Sequence, residues 1–149
     1  MWQRGWGEAM EDASIAAKRA ADALLRCAGG RAVLLRMPVP ATAGDTTEQL
    51  GLAVPAFQDS TLAPVVFRKA RSTVAEGKAA KWELMVSASA VDGLVGSLGY
   101  SAASVLFAGA FGVLIDGVLM EIESATESEV GGVPYVYRLA LKAPLALAV

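Results

Sequence analysis

Four carboxylates crowd the stretch Glu121-Ile-Glu-Ser-Ala-Thr-Glu-Ser-Glu129. Paired carboxylates carry out acid and base chemistry when their surroundings split their pKa values, and clustered oxygens hold Ca²⁺ or Mg²⁺. The residues that complete most other chemistries are missing. The chain has no histidine, which removes the commonest general base, the usual serine or cysteine triad and most catalytic zinc sites. One cysteine, Cys27, excludes a thiolate cluster and a redox pair; it is expected to pack as a small hydrophobe. The glycine pairs Gly93/Gly96 and Gly109/Gly112 lack the spacing and the strand-to-helix setting of a phosphate cradle. Alternation puts Glu121 and Glu123 on the outer face of a strand and Glu127 and Glu129 in the loop after it, where carboxylates are solvated. The chain is therefore expected to be no enzyme and to need no cofactor or metal.

The remaining candidates are contact residues. Arg68, Lys69 and Arg71 form the densest basic group, read as a charged hairpin edge that resists aggregation, as a contact for an acidic partner surface or as a phosphate site. Trp2 and Trp6 suit a staple onto the chain's own helix or an anchor in a partner's groove. Leu50, Leu52, Val54 and Phe57 make LGLAVPAF too apolar for a solvated linker, and they are expected to pack on the chain's own barrel or on an adjacent subunit.

These residues must be positioned by a framework that the sequence states more clearly than any chemistry. Asp116-Gly117 between two apolar runs predicts a two-residue hairpin turn, since both positions favour positive φ. With Ile115 opposite Val118, the residues Phe111, Val113, Ile115, Val118, Met120 and Ile122 share one apolar face. After a polar connection ending in Gly131-Gly132, a third strand sets Val133, Tyr135, Tyr137, Leu139 and Leu141 against Pro134, Val136, Arg138, Ala140 and Lys142. Upstream, Arg31 to Met37 reads as a strand with Val33, Leu35 and Met37 on one side. Val65–Val74 and Ala79–Ser87 read as a hairpin with Trp82, Leu84 and Val86 buried. A helix from Glu8 to Ala28 is expected to bury Ala9, Ala13, Ala16, Ala20, Leu24 and Cys27, and to stop at Gly29-Gly30. Ser87 or Ser89 caps a short helix ending at Gly99, and Ser101 caps a further turn or two through Phe107. Residues 38–64 hold four prolines and no sustained period, and read as a long arm.

The expected fold is thus α+β and mainly antiparallel β. It is a meander or small barrel of five to six strands with an N-terminal helix, a short internal helix and an arm. All 149 residues make one domain: an N-terminal segment and helix over 1–30, and a barrel over 31–149 that includes the arm at 38–64. A net charge of −2 and a pI near 5.1 argue against a nucleic-acid binder. The longest apolar run, Ala102 to Ile115 with Ser104 inside it, is too short for a bilayer span of about 20 residues, and the acids in MWQRGWGEAMED speak against a cleavable signal. Hydrophobic residues at 54% against 19% charged, with mean hydropathy +0.46, suit either an Ala- and Gly-rich soluble chain or a subunit partly covered by neighbours.

The run VLIDGVLMEIESA, its Gly-rich link and the strand PYVYRLALKAP resemble the small neck proteins of tailed bacteriophages, the head-closure or head-to-tail connector class. The resemblance covers roughly Val65 to Lys142, and chain size and the long arm agree with it. It implies a non-enzymatic virion subunit at the neck or tail, assembled in the bacterial host cytoplasm. It also implies a homo-oligomeric ring that joins the portal to the tail, adjacent neck, portal or tail proteins as partners, and a lumen through which DNA passes. The alternatives are another phage tail subunit or a small bacterial ligand-binding β-domain.

Overall fold

Asp116 and Gly117 take φ of 50° and 80°, and the turn they close sets Ile115 against Val118 and Val113 against Met120. That is the register expected from alternation. The computed structural model of the chain describes residues 6–39, 57–69 and 81–142. In chain order these form helix α1 (Trp6–Cys27), strands β1 (Arg31–Pro38), β2 (Phe57–Lys69) and β3 (Lys81–Ser87), helices α2 (Ala88–Leu98) and α3 (Ala103–Gly109), and strands β4 (Gly112–Ile115), β5 (Val118–Val130) and β6 (Val133–Lys142). The six strands close into an antiparallel barrel in the order β1-β2-β3-β6-β5-β4.

Inward residues follow the period-two pattern. Val33, Leu35 and Met37 of β1, Leu84 and Val86 of β3, Val113 and Ile115 of β4, Met120 of β5 and Leu139 and Leu141 of β6 are all buried. Phe111 and Val118, placed on the same apolar face by alternation, are about half exposed, at the start of β4 and at the turn. The chain between β3 and β4 covers one end of the barrel, where α2 and α3, bent by 75° to each other, supply Val91, Leu106 and Phe107 to the core. Ser87 caps α2 by accepting from the Ala90 amide, and Gly99 ends it at φ 75°. Ser101 does not cap α3; that position falls to Ala102, which makes no side-chain cap. At Gly112 the backbone passes so close to β5 that a Cβ would sit 2.5 Å from the Met120 carbonyl oxygen.

The strand registers sort the molecule into two ends. The tips Pro38/Phe57 and Val130/Val133 lie at the end covered by α2 and α3. Arg31, Lys69, Lys81, the Asp116 turn and Lys142 lie at the other, where Arg31 is hydrogen-bonded to Asp116.

Three expectations are corrected. Strand β2 begins at Phe57, so residues 57–64 belong to the barrel and not to the arm. Proline reads as a strand breaker, but Ala63 and Pro64 lie where the register slips between Arg31 and Val33, a bulge that needs no amide from proline. The run from Ser124 to Val130 is strand and not loop, because β6 and the Gly131-Gly132 turn, with φ of 61° and 77°, pair it along its length. Helix α1 buries Ser14 and Leu25 and turns Ala9, Ala13, Ala16, Ala20, Leu24 and Cys27 outward. Alanines occur on every side of this helix, so its small-residue stripe does not choose a face. Polar anchors choose it: Ser87 Oγ donates to Asp22 Oδ1 at 2.5 Å, and Lys18 lies 2.8 Å from Asp92.

Candidate functional site

The register of β5 on β6 sets Ile122 opposite Leu141, Ala125 opposite Leu139 and Glu127 opposite Tyr137. Since Leu139 and Leu141 point into the core, Ile122, Ala125 and Glu127 share the inner face of the ribbon. There α3 stands off from the sheet, and the space between holds a cleft of about 720 Å³. Phe107, Ile122 and Tyr137 form its apolar part, Ala102, Ala103 and Ala108 its helical wall, and Ser104, Glu123, Ser124, Thr126 and Glu127 its polar rim. The Phe107 and Tyr137 rings pack at 5.7 Å in a tilted pair.

Burial pushes the Tyr137 phenol up to about 12, and the carboxylates of Glu127, Asp92 and Glu129 add to the shift, as does its hydrogen bond with Glu127. At neutral pH it is therefore an uncharged donor facing an acceptor. Glu123 lies 3.6 Å from the Lys142 ammonium, and Thr126 donates to the Arg138 carbonyl at 3.4 Å. An apolar floor with a sparse polar rim is the composition of a binding cleft.

The four glutamates that looked like one cluster are strung along β5 and all are exposed: Glu123 and Glu127 line the cleft, Glu123 also pairing with Lys142, and Glu121 and Glu129 lie outside it. Among the described residues no three Cys, Asp or Glu side chains gather as a metal would require. The expected contact residues are not brought together. Phe57 opens β2, about half exposed, with the Arg36 guanidinium 4.2 Å from its ring centre and itself held bidentate by Asp59. Arg68, which reaches Glu83 at 3.2 Å, and Lys69 lie at the far end of the same strand, roughly 35 Å away at about 3.3 Å per residue. Trp6 is the first residue of α1. Trp2, Leu50, Leu52, Val54 and Arg71 lie outside the described residues, as do most of the arm and the turn at 75–78.

Sequence reasoning placed Tyr137 inward but missed the cleft, because reading Ser124 to Glu129 as a loop left α3 without an opposing wall. Comparison with protein families, with curated proteins and with solved structures finds no match for this chain.

Proposed function

We propose that this chain is a non-enzymatic virion subunit of a phage or phage-derived particle, assembling as a homo-oligomeric ring at the neck between portal and tail. The observation that carries self-assembly is the apolar surface left outside a barrel that is already closed. Leu24 is 70% exposed, Phe57 51%, Phe111 48% and Val105 46%, with Ile15, Val39 and Val118 close behind. Side chains of this size contribute nothing to the core from outside, and covering them by a neighbour would remove apolar area from water. The placement at a neck rests on the resemblance of the β4–β6 segment to the connector class.

Sedimentation of the purified chain tests assembly. The expected species is a closed oligomer that persists above about 0.5 M salt, since screening weakens exposed ion pairs and leaves buried apolar area nearly untouched. Cosedimentation with portal or tail rings tests placement. A monomer at every concentration overturns the reading. The cleft favours one rival, a small ligand-binding β-domain, which would show saturable uptake of an apolar ligand by a monomer, lost on Phe107→Asp.

A further inference from the structure

Strand β5 is far longer than the neighbour on one of its sides. Strand β4 pairs with it only from Val118 to Met120, so among the described residues no strand covers that edge from Ile122 onward. The cleft lies along this edge. Six consecutive residues of β5, Ile122 to Glu127, line it, which happens when a strand is met from its side and not across one face. Helix α3 forms the opposite wall, leaving a slot about 20 Å long at about 3.3 Å per residue. An edge of this kind offers backbone donors and acceptors to an added strand.

We propose that the slot receives an extended strand, Leu50–Val54, from a second copy of the chain; this rests on the self-assembly proposed above and names the site that carries it. The pentapeptide LGLAV is about 17 Å long when extended, carries no charge and ends at Pro55. Its large residues Leu50, Leu52 and Val54 alternate with Gly51 and Ala53, so one side suits Phe107, Ile122 and Tyr137 and the other suits the edge of a helix. Residues 40–56 connect Pro38 to Phe57, which are paired neighbours, so a chain of that length has a maximum reach of roughly 25–30 Å out and back. That reach starts at the same end of the barrel as the slot, where the Met37 methyl group lies 3.8 Å from the Cβ position of Gly109 on α3. The exposed Val39, Phe57 and Phe111 lie at that end, and the exposed Val105 lies on α3.

The test uses the full chain in a Cys27→Ser background. Single cysteines at each position from Leu50 to Val54 are mixed one to one with a Thr126→Cys protein and oxidised, while parallel samples are sedimented. The expected result is a covalent dimer on non-reducing gels whose yield alternates several-fold along 50–54 with a period of two, absent when either cysteine is omitted. Oligomers that give no such cross-link overturn the slot and leave ring assembly standing. A cross-link that forms only within a chain carrying both cysteines overturns the second copy as donor. Monomers without cross-links overturn both readings together.

Discussion

Replacing Met120 by Glu tests the register on which the barrel and the cleft both rest. Met120 is 4% exposed and stands opposite the fully buried Val113. Losing its burial costs about 1.5–3 kcal/mol. Among the described residues the buried core holds no cationic side chain, so a glutamate there stays neutral by raising its pKa, and a rise from the usual 4.3 to roughly 7 costs about 4 kcal/mol at pH 7. The sum, about 6 kcal/mol, is comparable to the whole stability of a domain of this size. The second part depends on pH with a definite sign. A raised folded-state pKa favours the neutral acid in the fold, so the penalty is smallest below about pH 4 and grows as pH rises from the unfolded pKa toward the folded one. Glu121→Gln, one residue along on an exposed position, is expected to change stability by less than about 0.5 kcal/mol. Urea melts at pH 7 and near pH 4.5 measure both, with Met120→Ala, expected to cost about 2–5 kcal/mol, as a graded variant that carries no charge. Equal and mild effects of the Glu and Gln variants at pH 7 would show that Met120 does not point inward.

Gly112→Ala places a Cβ 2.5 Å from the Met120 carbonyl oxygen and is expected to cost about 1–3 kcal/mol in the same melts, while Gly117→Ala meets no neighbour and is strained only by its φ of 80°. Ser87→Ala removes both the cap on α2 and the bond to Asp22, for a loss of about 1–2 kcal/mol; Asp22→Asn, which still accepts from Ser87, should cost less. Absorbance titration should find one tyrosine ionising near 12, and Glu127→Gln should lower that value. Because the folded-state pKa of Tyr137 is raised, its contribution to stability is present below pH 10 and lost as pH climbs toward 12, and Tyr137→Phe should remove that part of the alkaline decline.

Where a local signal and its tertiary setting agreed, the sequence was enough. The Asp-Gly turn, the alternation of β1, β3 and β6, and the Ser87 to Gly99 helix all carry their own boundary chemistry. The misreadings share a cause: the deciding contact was made by a distant part of the chain. Ser124 to Glu129 has no apolar alternation, and it is a strand because β6 runs beside it. Gln58 to Pro64 is a strand because β1 needs a partner. Helix α1 turned its other face inward because Ser87, 65 residues away, bonds Asp22. The cleft was hidden for the same reason, since its two walls come from separate elements whose identity as walls depends on these pairings.

The two longest ribbons, β1–β2 and β5–β6, both project from the end of the barrel that α2 and α3 cover, while the opposite end carries the tight Asp116-Gly117 turn together with Arg31, Lys69, Lys81 and Lys142. The fold is therefore vectorial: no rotation about the barrel axis exchanges the hairpin-bearing end for the end with the Asp116-Gly117 turn. Copies related by rotation about an axis along the barrel keep that direction, so a ring of that kind is two-faced, with the projecting hairpins on one rim and the tight Asp116-Gly117 turn on the other. The ring proposed above would then distinguish up from down by the shape of its own subunits, without help from a partner.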